Sequence, residues 1–580
     1  MFAARTLNRP AVLWCALALT VAALYLFGLG GPYAPTNGDE MVYIHIARLT
    51  AASGHWLPLR SELLDMRNTK PPLLIWQALL VSDWGQNWSL WTLRLPSVAY
   101  TFASAALLGL VARRMGASTR SAALAVVLYL LFFSSFRYGR AYLTSAPETF
   151  WLALPLWWVL WRRARSAAPQ ELAPGALGYT LIGLCLGVGA AYKSFALIAP
   201  SAATLWIALL PRPWNARALV RSTAGLGWSC CVGLALFSLW FVLDPDPAAV
   251  WREFVLTENA GKLRGPEGYW YAAWYGAYPM WTQLFAYPAN AGLLVLPALG
   301  LQVLAVRATF RPPKLRPEHA LLLAWLLVWL VVFTIPSQRS ERYLIPAMPA
   351  LALSMALLWE RIARVWFWLT LLLLLPALLL LARIAWVIGT LDIGTPALAC
   401  ATVAACALGG GVALAGLLRA RWTRNATLLA CTAVYASFNL MVAPLSGAAA
   451  GYTPEVQQVL QGRKVAVPNG FTGQFEHYHF VLAGAQLTPY DAEGRNTGVL
   501  YLELAPAARQ QRLLASFDAV VWLQDSSEAS GPACLPRCRV LAQRWHVKSR
   551  HRQGEVTWEN VWYPMDWLFS REWLLLPADH

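Results

Sequence analysis

Long apolar stretches, broken at intervals by a few basic residues, fill the chain from its first residues to about position 446. A helix of roughly 20 apolar residues crosses the hydrocarbon core of a bilayer. By that measure the pattern predicts about thirteen transmembrane helices, at 11–30, 92–112, 121–136, 146–161, 176–192, 194–211, 222–243, 284–306, 320–336, 343–359, 366–391, 396–418 and 426–446. No small-residue cleavage site follows the first run, which therefore reads as a span. The segment 70–84 is apolar but short, and predicts a helix lying at the membrane interface. Past about 450 the pattern changes to alternation between polar turns, with strands expected at Lys464–Val467, Val499–Leu504, Ala519–Leu523 and Val556–Val561. The expected division is a transmembrane unit over 1–449 and a small α/β domain over 450–580.

Composition agrees with the pattern. Of 580 residues, 58% are hydrophobic and only 13% charged, too little polar surface for a soluble protein of this length. The formal charge of +17 would suit nucleic acid, but its distribution does not. Basic residues occupy every second connection: Arg113 and Arg114, Arg162 and Arg163, Arg217 and Arg221, Arg361 and Arg364, Arg419 to Arg424. That is the positive-inside bias, and it puts the N-terminus in the cytosol and the C-terminal domain outside. No nucleic-acid partner and no nucleotide site are expected; membrane lipids are. Cys534 and Cys538, in Cys-Leu-Pro-Arg-Cys, have a location that permits a disulfide. The other seven cysteines read as small packing residues of the spans.

The remaining ionisable residues gather at the outer ends. The first long outer connection carries Asp39, Glu40 and Lys70, and a second, near 244–283, carries Glu258, Asn259 and Lys262. Arg137, Arg140 and Glu148 flank the fourth span, Lys193 interrupts two runs, and Arg342 and Tyr343 open the tenth. Cations at that level hold a phosphate through charge-assisted bonds. A neighbouring carboxylate removes a proton from an acceptor hydroxyl. Together they suit transfer of a group from a lipid-linked phosphate, whose growing charge the cations stabilise.

The order of these residues carries a resemblance. Asp39-Glu40 after the first span, Lys70-Pro71-Pro72, Arg94-Leu95-Pro96, the Glu148 region, Lys193 and Arg342-Tyr343-Leu344-Ile345-Pro346 resemble glycosyltransferase family 39, its ArnT-like branch in particular. The resemblance covers about 30–350 by residues and the rest by topology. It implies the GT-C fold, a polyprenyl-phosphate-linked sugar as donor, and a lipid, glycan or protein acceptor, with a lipid A-type acceptor favoured. It also implies a bacterial inner membrane with the site on the periplasmic face. Asp39 matches the catalytic acidic residue, with Glu148 second. Lys70, Lys193, Arg342 and Tyr343 match the donor-phosphate contacts, and Glu258 with Asn259 an acidic-polar pair. Two positions depart: Val42 stands where members often have arginine, and Ser145 where many have aspartate. Glu148, one helical turn on, would present a carboxylate instead. No cofactor is firmly expected; Asp39 and Glu148 together would offer a divalent ion oxygen ligands.

Plainer readings accompany each. Asn37 or Asp39 caps the following helix, and Glu40 is its first-turn acid. Lys70 snorkels to the interface ahead of a proline-started helix. Arg137 and Arg140 anchor to headgroups. Glu148, at a span end, needs a partner such as Arg140, and Arg383 needs one that the pattern does not name. The aromatic stretch Tyr269–Trp281 is an interfacial belt, or stacks on sugar. A transporter or flippase of lipid-linked sugars is the competing class; it predicts internal repeats or mid-span charges, and few are seen. A non-catalytic scaffold is the third.

Overall fold

The computed structural model describes residues 9–31, 38–63, 66–164, 174–210, 215–263, 268–310, 316–391, 396–446, 451–469, 473–490, 506–525, 531–548, 551 and 554–578. Every predicted apolar run meets a helix. The first ten helices are α1 (Arg9–Leu26), α2 (Gly38–Ala52), α3 (Leu73–Val81), α4 (Leu90–Arg114), α5 (Thr119–Leu131), α6 (Phe133–Tyr138), α7 (Ser145–Arg163), α8 (Ala176–Tyr192), α9 (Ile198–Leu209) and α10 (Ala216–Leu243). Among the described residues, eight helices are long and apolar enough to cross a membrane, and α5 and α8 are among the shorter apolar ones. This is a multi-pass membrane protein.

Packing follows side-chain size. Gly183 and Gly187 of α8 face Ser229 and Gly233 of α10, where a Cβ would run into backbone carbonyls. Small residues four apart on both helices let the backbones close, the usual device where lipid supplies no hydrophobic drive. Met348–Leu358 is almost wholly buried and packs against α5 and α4. The helices Arg364–Thr390, Pro396–Leu418 and Thr423–Ser446 form a mutually packed trio.

Two helices, α2 and α3, lie outside the predicted spans. The short α3 answers the interfacial segment. Before it, α2 is buried along most of its length, and its Glu40 is fully buried. Arg94 in α4 grips both oxygens of Glu40, at 2.7 and 3.0 Å, and donates to the carbonyls of Leu29 and Gly31. The Tyr142 amide completes the set at 2.8 Å. Glu40 is thus the brace of α2, more than a first-turn acid.

The C-terminal part folds as a small α/β domain around a five-stranded sheet, ordered β2-β1-β3-β5-β4. The strands are β1 (Lys464–Pro468), β2 (Gln486–Tyr490), β3 (Ala519–Asp525), β4 (Cys538–Val547) and β5 (Phe569–Pro577). β1 pairs in parallel with β2 and β3; β5 runs antiparallel between β3 and β4. Two expected strands, Lys464–Val467 and Ala519–Leu523, coincide with β1 and β3. Val499–Leu504 lies outside the described residues. Val556–Val561 is turn rather than strand: Thr557 and Asn560 bond each other across it, and Trp558 is 96% exposed. Cys534 and Cys538 form a disulfide at the start of β4.

The sheet contains a buried charge. Glu572 of β5 accepts from Arg544 of β4 at 2.5 and 3.1 Å and from the Tyr452 and Tyr478 hydroxyls. Burial pushes its carboxyl up, but the Arg544 charge and hydrogen bonds outweigh this and hold it at about 2. Burial also presses His477 and His546 down to about 4. A carboxylate or histidine with a depressed folded pKa contributes stability above its unfolded value and loses it as pH falls toward the folded one. The histidine contribution therefore drains away between pH 6.5 and 4, and that of Glu572 below about 4.5. Amides of β4 and β5 are expected to lose hydrogen-exchange protection between pH 7 and 5 after intrinsic-rate correction; unchanged protection would refute the assignment.

The domain docks on the helices. Trp545, Trp567 and Phe569 pack against Ile384–Ile388 and Met441–Leu445. Arg383 finds its partner here, in the Trp562 carbonyl at 3.2 Å. Arg140 is no headgroup anchor and does not pair with Glu148. It is 1% exposed and ties down the end of α1 through the carbonyls of Tyr25 and Phe27, with Asn439 as a third partner.

Candidate active site

A cavity of about 800 Å³ opens among helix ends and the connections between them. It collects most of the expected residues, from five separate stretches. Asp39 enters from the first turn of α2, Lys70 from the loop before α3, and Lys193 from the end of α8. Glu258 and Asn259 come from the second long connection, and Arg342 and Tyr343 from the short helix Glu341–Ala347. Glu148 does not line the cavity. It stands behind Lys193.

Local structure explains several placements. Trp251–Asn259 is a π-helix, a widened form that often marks functional sites. The Asn259 amide donates to the Phe254 carbonyl, five residues back, and its oxygen accepts from the Ser194 hydroxyl at 2.7 Å. Arg339, nearly fully buried, donates to the carbonyls of Thr334 and Tyr278 and shapes the turn ahead of Arg342.

Each cation meets a carboxylate. Arg342 donates to Asp39 at 2.9 Å, and Lys193 to Glu148 at 2.9 Å. Glu258 takes both Lys70 at 2.7 Å and Lys262 at 2.8 Å. The Tyr343 ring lies 5.5 Å from the Lys193 ammonium and 5.8 Å from that of Lys262. Lys262 is a central member that the sequence reading recorded in its loop but gave no role; its place four residues after Glu258 was the available signal. Tyr43, Thr69, Ser194 and Ser340 add polar groups to the lining.

Burial presses Lys70 and Lys193 below the usual lysine range, with Glu258 and Glu148 respectively opposing it. For Glu258, burial pushes up but its two lysines prevail and hold it low. Glu148 is fully buried, and its second oxygen has no hydrogen-bond partner among the described residues. Its carboxylate therefore serves Lys193. Glu148→Gln is expected to lower kcat/KM about 10- to 100-fold. The alkaline limb of its pH profile should move to lower pH, since Lys193 loses the charge that opposes its desolvation. A limb that stays in place would separate Lys193 from that titration. As for a divalent ion, Asp39 and Glu148 each hold a cation already, and no group of three or more acidic, histidine or cysteine residues converges among the described residues.

A helical bundle with a charged cavity at one end and a docked sheet domain defines a multi-pass membrane protein of the GT-C fold. Its fold matches crystal structures of ArnT from Cupriavidus metallidurans. The form bound to undecaprenyl phosphate aligns with TM-score 0.56 and 18% identity over 97% of each chain. The apo form aligns with 0.57 and 17% identity over 98% of this chain and 99% of that one. Residues 36–245 match the dolichyl-phosphate-mannose-protein mannosyltransferase family. The undecaprenyl phosphate-alpha-4-amino-4-deoxy-L-arabinose arabinosyl transferase 1 of Sodalis glossinidius is 29% identical over 358 residues, 60% of this chain and 59% of that protein. The corresponding transferase 2 of Proteus mirabilis is 26% identical over 346 residues, 59% of this chain and 58% of its own. The chain thus spans under two thirds of the length of these relatives. The chain is similar to ArnT in fold and, over part of its length, to these arabinosyl transferases in sequence.

Proposed function

We propose that this protein transfers a sugar from a polyprenyl-phosphate donor to a hydroxyl or phosphate of an acceptor, on the periplasmic face of a bacterial inner membrane. The observation that carries the reading is one cavity in which Lys70, Lys193, Lys262 and Arg342 surround Asp39. In the proposed step Asp39 takes the acceptor proton, and the acceptor oxygen forms a bond to the anomeric carbon. The bond from that carbon to the phosphate oxygen breaks, and the electron pair leaves with the polyprenyl phosphate. The lysines and Arg342 stabilise the charge that gathers there. Residues 1–449 would form the catalytic unit and 450–580 a periplasmic domain.

The relatives' names make undecaprenyl-phosphate-linked 4-amino-4-deoxy-L-arabinose the first donor to try. A lipid A-type acceptor is favoured by a second cavity, of about 720 Å³, on the other side of the first turn of α2. Its walls are mostly apolar, from Ile384, Phe438 and Met441 among others, and its polar lining includes Arg137, Arg544, which is paired with Glu572, and Lys548, which is paired with Glu555. An amphiphile with an anionic head fits that division.

The test is turnover by purified protein in nanodiscs, given the radiolabelled donor and an outer-membrane lipid extract. Label should move to a lipid and undecaprenyl phosphate should accumulate. A donor left intact with lipid, glycan and protein acceptors alike would remove support for the reading.

A further inference from the structure

The helix that presents Asp39 has three distinct faces. Asp39, Val42 and Tyr43 look into the cavity. Glu40 is locked to Arg94. The third face, at 41, 45 and 48, follows the i, i+4, i+7 spacing of one helix side and turns toward the C-terminal domain. Met41 lines the second cavity there. His45 Nδ1 lies 2.9 Å from Glu476 Oε2, and Arg48 donates to both Glu476 oxygens at 2.6 and 3.1 Å.

Glu476 is fully buried, so these are bonds in a low-dielectric setting and not a loose surface pair. His45 is oriented from its other side as well, because Nε2 accepts the Glu62 amide at 3.2 Å. The ring therefore donates from Nδ1 to the carboxylate. Two residues before Phe475, Gly473 (φ +80°) lies so close to α2 that a Cβ would stand 3.0 Å from the Val42 side chain and 3.2 Å from its amide. On the same short helix, Gln474–His477, Gln474 and His477 face the second cavity. One turn of chain thus touches the second cavity with two side chains and grips the helix of Asp39 with a third.

We propose that Glu476 is a positioning residue: through His45 and Arg48 the C-terminal domain sets where α2 presents Asp39 to the reaction cavity. The inference rests on the transferase reading above. It also gives the C-terminal domain a part in chemistry, since whatever fills the second cavity presses on the turn that holds α2. His45 is six residues from Asp39, about 9 Å along the helix, and α2 is braced too firmly at Glu40 to absorb a shift at one end only.

The experiment compares wild type, Glu476→Gln, Arg48→Met and the double variant as full chains in nanodiscs. Exchange of amides 38–48 and of the sheet is measured, then kcat and donor KM with undecaprenyl-phosphate aminoarabinose as the probe. Amides of α2 should exchange faster while the sheet stays protected. Each single variant should lose about 10- to 100-fold in kcat with donor KM little changed, because misplacing a base costs rate rather than binding. The double variant should be no worse than the poorer single one, since both break the same link. Variants that keep kcat within about twofold of an active wild type overturn the proposal and leave the transferase intact, whether or not α2 loosens. Lost kcat together with a loosened sheet also overturns it, as the role is then structural. A wild type without turnover fails the transferase reading and the positioning role with it, while exchange still reads the link by itself.

Discussion

Asp39→Asn is expected to lower kcat by about 10²- to 10⁴-fold, the span usually lost with a general base. The Asp39 carboxylate, held by Arg342, is 45% exposed and faces the cavity, more open than the other acids of the site. Glu148 is sealed behind Lys193, and Glu258 is shared by two lysines. Asparagine keeps the size and still accepts a bond from Arg342, so donor binding should change far less than rate. Single-turnover kinetics with labelled donor separates the two. Full turnover by the variant would move the base elsewhere in the cavity. A donor that no longer binds would make Asp39 a holder of Arg342 instead.

The second large effect concerns the brace of α2. Glu40→Ala is expected to cost about 3–5 kcal/mol, because it leaves the Arg94 guanidinium buried and without its carboxylate. Arg94→Ala strands Glu40 and should cost a similar amount. Removing both should be milder than either alone, since no uncompensated charge remains. Thermal unfolding in nanodiscs measures this, with bound donor left out. If the double variant is the least stable of the three, the two residues contribute by packing and their charge pairing is not decisive.

The apolar helices were legible because a bilayer favours long runs of one polarity, and eight of those described are long enough to cross it. The members of the charged cavity were legible from topology, since residues at the same end of neighbouring helices have little room to be elsewhere. Pairing was not. Glu148 with Lys193, and Arg140 with the carbonyls of α1, depend on helix rotation and on which neighbours stand behind, and a one-dimensional pattern holds neither. Glu40 read as a first-turn acid because its partner lies 54 residues away, in α4. In the sheet domain, β5 escaped notice because Arg571 and Glu572 break its apolar run, although Glu572 is buried against Arg544. Val556–Val561 alternates like a strand, yet pairs with nothing in the sheet. Exchange of Val42 and Ser145, the two departures from the pattern that the resemblance implied, would test their bearing on the acceptor. Val42 already packs against Gly473, so a larger side chain at 42 would press on the C-terminal domain.

The ion pairs of the cavity have one more consequence. Four cations stand against three carboxylates, so the site neutralises most of its own charge. A phosphate entering it would work by ion exchange: it draws Lys70 and Lys262 from Glu258, and Arg342 from Asp39. Its arrival would then release the carboxylate proposed to accept a proton, as a safety catch is released by loading. Such a site discriminates against bulk anions, which gain little by displacing good internal partners. Donor affinity should accordingly vary only weakly with ionic strength, and a steep salt dependence would argue instead for an open electropositive funnel.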